Sequence, residues 1–266
     1  MDDVEALRSL EALAAELARL AGAEIETALG RTVHVDYKDE ALGDPDGSGP
    51  RDPVSEVDRA VETLIRARLG DAHPDHDIVG EEFPDRPNRG APYAWAIDPV
   101  DGTANFVNGL PLFAASVGVL HEGRPVAGAV WCSTSHVLRE GVYSAHEGGP
   151  LNFDGRPFEP VPRPHVRRAL IGLPDTAGAE GLPFDARKTG SAAIECAFVA
   201  AGLLAGARFE TPNPWDVAGG AALALAAGRT VRERHRGAWR DLDRFGGDGE
   251  GGGDVGAWRA ADRGRA

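Results

Sequence analysis

The chain of 266 residues lacks several features that mark other classes of protein. Its two cysteines, Cys132 and Cys196, cannot build a disulfide framework, and neither lies near another cysteine at zinc-ligand spacing. It also lacks a run of about 18 apolar residues, which a transmembrane helix needs. The first thirty residues carry scattered charges and no basic region ahead of an apolar one, which predicts an amphipathic helix and not a signal peptide. We therefore expect a cytoplasmic protein without a membrane segment.

Basic residues are scarce as well. The sequence has 28 Lys and Arg against 42 Asp and Glu, a formal net charge of -14, and only Lys38 and Lys188 are lysines. This balance argues against general affinity for nucleic acid or for an anionic membrane. What remains is ordinary for a globular protein, with 42% hydrophobic and 26% charged residues. The length allows one large domain or two coupled lobes.

Hydrophobic periodicity divides the chain into two different patterns. The first part predicts two helices, over 4–29 and 56–69, followed by strands joined by short turns. The second part alternates strands with apolar helices over 190–205 and 214–228. We therefore predict a layered α+β or α/β fold whose two lobes meet in a cleft.

The predicted boundaries place an N-terminal α+β lobe at 1–160 and a C-terminal α/β lobe at 161–245. A Gly-rich tail follows at 246–266, and its low-complexity composition is typical of a disordered segment or a long loop. No closing strand is predicted within 233–266.

Acidic residues stand where predicted elements begin or end. Glu81 and Glu82 follow one short strand, Asp98 and Asp101 follow the next, and Asp216 opens the helix that starts at 214. A single Asp at a helix start is more often a cap than a ligand. Strand ends and helix starts of α/β proteins tend to converge on one edge, however, where ligands bind. The joint placement therefore favours one acidic site.

Carboxylates gathered at one edge would repel each other unless cations lie between them. With no Cys or His partners, the ligands are all oxygen, and such sets favour Mg²⁺, Mn²⁺ or Ca²⁺. Two such ions about 4 Å apart could bind a phosphoryl group and activate water. Gly102 and Thr103 would add backbone N–H groups at a turn or helix start, which suit an anion.

Several stretches resemble a known family. The segment 98-DPVDGTANF-106 resembles the first signature of the inositol monophosphatase family, and 214-PWDVAGG-220 resembles the second. Further elements of the family are matched, in the same order, by 54-VSEVDRAVE-62, 79-VGEE-82, 190-GSAA-193 and 206-GARFE-210. The resemblance runs from about residue 4 to residue 232, and the ordered set is specific where any single motif is not.

The resemblance implies a layered αβαβα sandwich of the inositol monophosphatase and fructose-1,6-bisphosphatase type, with Mg²⁺-dependent phosphomonoesterase activity. The metal ligands that it implies are Glu81, Asp98, the backbone carbonyl of Val100, Asp101 and Asp216. It further implies that Thr103 and Asp58 orient the attacking water with Glu81 nearby. Gly102 and Thr103 would bind phosphate through their N–H groups.

On the substrate side, the resemblance implies that Ala193 and Glu210 face the alcohol part of the substrate. Gly190 and Ser191 belong to a substrate-side element of the family, but a plain helix cap explains them equally well. We expect two or three Mg²⁺ ions, with Mn²⁺ as an alternative and Ca²⁺ or Li⁺ as inhibitors. Relatives are often homodimers.

The expected substrate is a small sugar or polyol phosphate such as inositol 1-phosphate. Relatives with the same metal motifs act on fructose 1,6-bisphosphate, histidinol phosphate or 3'-phosphoadenosine 5'-phosphate, so these stay open. A non-catalytic phosphatase-like scaffold is the alternative of another class. The intact acidic set argues against it.

Overall fold

The computed structural model describes residues 2–37, 53–84, 91–177, 179–245 and 255–258. The helices are α1 Asp2–Ala28, α2 Glu56–Ala72, α3 Thr103–Val107, α4 Ala192–Ala200 and α5 Pro214–Ala226. The strands are β1 Val35–Tyr37, β2 Pro53–Ser55, β3 Asp77–Gly80, β4 Tyr93–Asp101, β5 Ala114–His121, β6 Arg124–Cys132, β7 Gly141–His146, β8 Asn152–Phe153, β9 Arg156–Pro157, β10 Ala169–Gly172, β11 Phe184–Arg187, β12 Gly206–Phe209, β13 Thr230–His235, β14 Ala238–Asp241 and β15 Val255–Trp258.

Two large sheets form the frame of the protein. The first has seven strands in the order β3-β4-β5-β6-β7-β8-β9, and only its β3–β4 pair is parallel. The second has six strands in the order β11-β10-β12-β15-β13-β14. In the second sheet β10 pairs in parallel with β11 and β12, and the other pairs are antiparallel. Strands β1 and β2 form a separate antiparallel pair.

Helices cover the first sheet on both sides. Helix α1 packs on β5, β6 and β7, and α2 packs beside it against β4. On the opposite face α5 lies on β4, β5 and β6, and α4 and α5 together contact the second sheet through β12, β13 and β15. The predicted layered α+β sandwich is confirmed. Four layers of the αβαβα order are seen in the described ranges: α1 with α2, the first sheet, α4 with α5, and the second sheet.

The first helical layer follows from its sequence pattern. Apolar residues of α1 recur every three or four positions, and Leu10, Leu17 and Ile25 are buried in the core cluster that α1 shares with the first sheet. Helix α2 starts with a capping box, in which Ser55 Oγ accepts a hydrogen bond from the Val57 N–H and Asp58 Oδ2 accepts one from the Ser55 N–H. Within the described ranges, neither of these helices nor any other is long and apolar enough to span a bilayer.

One expectation about the end of the chain is wrong. The segment 233–266 does supply a closing strand, because β15 lies inside the second sheet between β12 and β13. Its residues Val255–Trp258 fall within the tail predicted at 246–266. Strand β15 pairs antiparallel with both neighbours, and the local composition carries no sign of this pairing. The sequence also predicts a loop at 43–53, dense in Gly, Pro and Asp. Its residues 43–52 lie outside the described residues, and Pro53 begins β2.

Candidate active site

A break in the pairing of β4 brings Asp98 and Asp101 to the same side of the first sheet. Asp98 lies opposite Ser116 on β5, whereas Asp101 lies opposite Ala114, so three steps along β4 match two steps along β5. In a regular strand residues three apart face opposite sides. The irregularity between them behaves as a β-bulge and turns both carboxylates towards the α4 and α5 layer.

Asp98 is the most buried acid of this group. Its side chain is buried, with 2% relative exposure, and its Oδ1 atom has no hydrogen-bond partner. Burial raises the pKa of Asp98 well above its ordinary value, and the charges of Glu81, Asp101 and Asp216 raise it further. These interactions show that the four predicted acidic ligands lie close enough to repel one another.

Asp101 is held by the start of α4. Its Oδ2 accepts hydrogen bonds from Ser191 Oγ and from the Ala193 N–H at 2.7 Å, and its Oδ1 accepts one from the Ala192 N–H at 3.2 Å. Burial raises the pKa of Asp101 to about 6, although these hydrogen bonds oppose the shift. Ser191 Oγ also accepts the Ile194 N–H at 3.2 Å, so Ser191 is the N-cap of α4 and a donor to Asp101 at once.

Asp216 reaches the group because α5 packs very closely on the first sheet. A Cβ atom placed on Gly219 would lie 2.7 Å from Ser116 Oγ, so any larger residue would push the helix away. Asp216 Oδ2 accepts the Asn213 N–H at 2.7 Å, which makes Asp216 a helix-capping residue as well. Burial, followed by the Asp101 charge, raises the pKa of Asp216 to about 7.

Glu81 follows the last residue of β3, and sequence reasoning missed the residue that holds its loop in place. Glu62 on α2 is fully buried, and its Oε2 accepts the Glu82 N–H at 2.8 Å. Arg66 donates from Nε to Glu62 Oε1 at 2.6 Å and from a terminal nitrogen to the Phe83 carbonyl at 3.1 Å. The i,i+4 spacing of an acid and an arginine on α2 was the available signal, but it did not reveal the contact with the loop.

The predicted water-orienting pair is in contact. Thr103 Oγ1 lies 3.0 Å from Asp58 Oδ1 and 2.8 Å from the Val100 carbonyl oxygen. Because a hydroxyl carries one proton, Thr103 can donate to only one of these acceptors at a time. Burial raises the pKa of Asp58, and the nearby charge of Glu81 raises it too, while hydrogen bonds from Ser55 and Thr103 lower it.

The turn that follows Asp101 packs against the predicted substrate-side segment. Gly102 has a positive φ of 85° and precedes α3, where the first N–H groups have no partner within the helix. A Cβ on Gly102 would lie 3.1 Å from the Gly190 carbonyl oxygen and 3.2 Å from Ser191 Cβ. The structure thus brings Gly102, Thr103, Gly190 and Ser191 to one place beside Asp101.

The expected contact of Ala193 with the substrate stays a prediction. Its side chain is completely buried and belongs to the core cluster formed with Ile194, Tyr143 and Leu223. Only its backbone N–H is turned towards the acidic group, where it binds Asp101. Glu210 is exposed at the end of β12 and forms an ion pair with Arg208 at 3.3 Å.

Oxygen ligands for a hard cation are present here, but they do not form a closed coordination sphere. In the described part of the chain, no group of three or more His, Cys, Asp or Glu side chains is placed so as to hold a metal ion. Asp101 and Asp216 both accept hydrogen bonds from backbone N–H groups. The buried and unpaired Asp98 Oδ1, with three carboxylates around it, still fits a cation better than any neutral partner.

Comparisons with known proteins agree with the fold. Residues 6–261 match the inositol monophosphatase family. An inositol-1-monophosphatase of Mycolicibacterium smegmatis is 33% identical over 71% of this chain and 72% of its own length. The Nus factor SuhB of Pseudomonas aeruginosa is 33% identical over 69% of this chain and 73% of its own length.

Solved structures give the same result for the fold. The inositol monophosphatase of Anabaena (Nostoc) superposes with a TM-score of 0.73 at 25% identity, over 96% of this chain and 92% of that one. The suhB extragenic suppressor protein of Bartonella henselae superposes with a TM-score of 0.75 at 24% identity, over 96% and 95%.

The family match and the fold therefore define a hydrolase of phosphoric monoesters. The chain belongs to the inositol monophosphatase family. It is a phosphomonoesterase that acts on inositol phosphate or a similar substrate.

Proposed function

We propose that the protein hydrolyses a small sugar or polyol phosphate, with inositol 1-phosphate as the first candidate, in a Mg²⁺-dependent reaction. The observation that carries this proposal is the group of four carboxylates formed by Asp98, with its unpaired Oδ1, and its three acidic neighbours. A phosphate monoester dianion would be repelled by such a group on its own. A divalent cation reverses the sign of the local field and makes phosphate binding favourable.

In this proposal the metal is held by the carboxylates of Glu81, Asp98, Asp101 and Asp216 and by the Val100 carbonyl. When bound, Mg²⁺ supplies charge neutralisation of the phosphate and acidifies water. The raised pKa values of Asp101, about 6, and Asp216, about 7, mean that cation binding would have to displace protons near neutral pH. Metal affinity should therefore increase with pH.

The protein's own groups orient the water and the phosphate. Thr103 Oγ1, between Asp58 and the Val100 carbonyl, is placed to accept or pass on a hydrogen bond from the attacking water. Asp58 is the group that would take up a proton, and the capping contacts with Ser55 hold it in position. The N–H groups of Gly102 and Thr103 are proposed to bind the phosphate oxygens.

The substrate's alcohol part is proposed to lie against Gly190, Ser191, Ala193 and Glu210. Ser191 is already committed to Asp101 and to the α4 cap, so its contribution to the substrate would come through that arrangement. Glu210 is exposed and can change its ion-pair partner when a polyol hydroxyl approaches. We further propose lobe boundaries at residues 160 and 245, a cytoplasmic location and a homodimeric state.

The test is phosphate release from a panel of monoesters at fixed Mg²⁺, compared with release in EDTA. The panel contains inositol 1-phosphate, fructose 1,6-bisphosphate, histidinol phosphate and 3'-phosphoadenosine 5'-phosphate. We expect Mg²⁺-dependent release with the highest kcat/KM for inositol 1-phosphate. Absence of release from all four substrates would support the scaffold alternative. The molar mass from light scattering in solution tests the homodimeric state.

A further inference from the structure

Thr189 is a junction between the acidic site and two residues that have no assigned role. Its carbonyl accepts a hydrogen bond from Asn105 Nδ2 at 2.8 Å. Its N–H donates to Glu195 Oε1 at 3.2 Å, and its hydroxyl can donate to the same oxygen at 2.8 Å or to the Ser191 carbonyl at 3.2 Å. The hydroxyl oxygen in turn accepts the Ser191 N–H at 3.3 Å. Every polar group of Thr189 is thus used to hold one turn of the chain.

Glu195 is an unusual residue for its position. It has 4% relative exposure and lies in α4, whose other buried residues are apolar or small. Room for the carboxylate exists because position 172 is glycine, where a Cβ atom would lie 2.2 Å from Glu195 Oε2. Burial raises the pKa of Glu195 to about 7, and the hydrogen bonds from Thr189 oppose this shift. Burying a carboxylate costs free energy that an apolar residue at this position would not cost. The presence of Glu195 therefore points to a role beyond packing.

Asn105 fixes the same turn from the opposite side. It lies on α3, directly after the predicted phosphate-binding residues, and its Nδ2 donates to the Leu112 carbonyl at 2.7 Å as well as to Thr189. Both amide protons are therefore in use. Thr189 is clamped between α3, which follows β4 of the first sheet, and α4, which packs on the second sheet.

Displacement of this turn would be transmitted directly to Asp101. Two residues after Thr189, Ser191 donates to Asp101 Oδ2 and starts the helix whose first N–H groups hold the same carboxylate. The Gly190 carbonyl also lies in close contact with Gly102. The turn 189–191 thus determines where the Asp101 oxygens point.

We propose that Glu195 is a positioning residue of the active site, which holds Thr189 so that Ser191 and the start of α4 orient the Asp101 carboxylate. The inference rests on the proposed function in one respect, the role of Asp101 in turnover. Glu195 touches no reacting group and acts only through the turn. Its acceptor oxygen is what matters, since both bonds from Thr189 end on Oε1.

Paired substitutions of the full-length protein test this inference. Glu195→Gln keeps the acceptor oxygen, and Glu195→Leu removes it with little change in volume. The matched control is Glu11→Leu, which removes another buried carboxylate that accepts from Ser144 Oγ and Asn152 Nδ2. For each variant we would measure kcat and KM for inositol 1-phosphate in Mg²⁺, stability in urea, and hydrogen exchange of the segment 188–193.

We expect Glu195→Leu to lower kcat about ten- to a hundredfold, as small misplacements of catalytic groups do, and to speed exchange in 188–193 at least about tenfold. Glu195→Gln should stay within about threefold of the wild type in both readouts. Glu11→Leu should lose stability while its folded fraction keeps the wild-type kcat and the wild-type exchange in 188–193.

Wild-type kcat and exchange in Glu195→Leu would overturn the inference, and so would equal losses in the Gln and Leu variants. A wild-type protein that releases no phosphate would instead refute the proposed function. In that case hydrogen exchange alone decides about Glu195, because protection of the turn does not depend on turnover.

Discussion

Replacing Asp98 with Asn should stabilise the metal-free protein and at the same time abolish its phosphatase activity. Asp98 is buried, its Oδ1 has no hydrogen-bond partner, and three other carboxylates surround it. Removing the charge relieves this repulsion, and the new amide group can donate to the neighbouring carboxylates. A buried unpaired polar atom costs about 1–3 kcal/mol, so we expect a gain of that size in the free energy of unfolding.

The assay is urea unfolding at pH 8 in EDTA and again in Mg²⁺, together with phosphate release. The wild type should gain stability from Mg²⁺, because a ligand that binds only the folded state stabilises it. Asp98→Asn should gain little from Mg²⁺ and should release no phosphate. Asp185→Asn, which removes a half-exposed carboxylate paired with Arg168, serves as the control and should behave like the wild type. A less stable Asp98→Asn protein in EDTA would refute the reasoning about the unpaired oxygen.

Three further predictions concern the same acidic group. The folded-state pKa of Asp101, about 6, lies above its ordinary value of 3.8, so the folded protein binds more protons than the unfolded one between these values. The contribution of Asp101 to the free energy of unfolding in EDTA should therefore fall by about 2 kcal/mol as pH rises from 4 to 7. Unfolding curves measured across this range would contradict us if stability stayed level or rose. Asp216→Ala should weaken Mg²⁺ binding at least about tenfold in calorimetric titrations, and unchanged affinity would remove Asp216 from the ligand set. Glu62→Leu removes the acceptor of Arg66 Nε and of the Glu82 N–H. The free energy of unfolding in urea should fall by about 3 kcal/mol, and kcat should fall as well. A wild-type kcat would show that the loop after β3 does not need Glu62.

Much of this arrangement could be predicted because its signals are local. Asp98 and Asp101 follow an apolar run with Pro99 between them, and a Gly residue follows at once. Pro, Gly and acidic residues at the end of a strand mark a turn whatever the rest of the chain does. The capping positions of Asp58 and Asp216 could likewise be read from their place at helix starts.

Other features depended on contacts between distant segments. The bulge that turns Asp98 and Asp101 to one face exists only in the pairing of β4 with β5. Strand β15 has four residues after a Gly-rich stretch, and its place in the sheet is decided by β12 and β13. For Glu195 a signal was available, since a lone acid inside an apolar helix needs a buried partner. That the partner is the turn beside Asp101 could be learned only from the fold.

The most direct test of the central claim, that the carboxylates around Asp98 form a metal-dependent phosphatase site, is a single comparison. Phosphate release from inositol 1-phosphate is measured for the wild type and for Asp98→Asn, each in Mg²⁺ and in EDTA. If this claim holds, the wild type releases phosphate in Mg²⁺ alone. Equal release by the wild type in EDTA, or Mg²⁺-dependent release by Asp98→Asn at the wild-type rate, would contradict it.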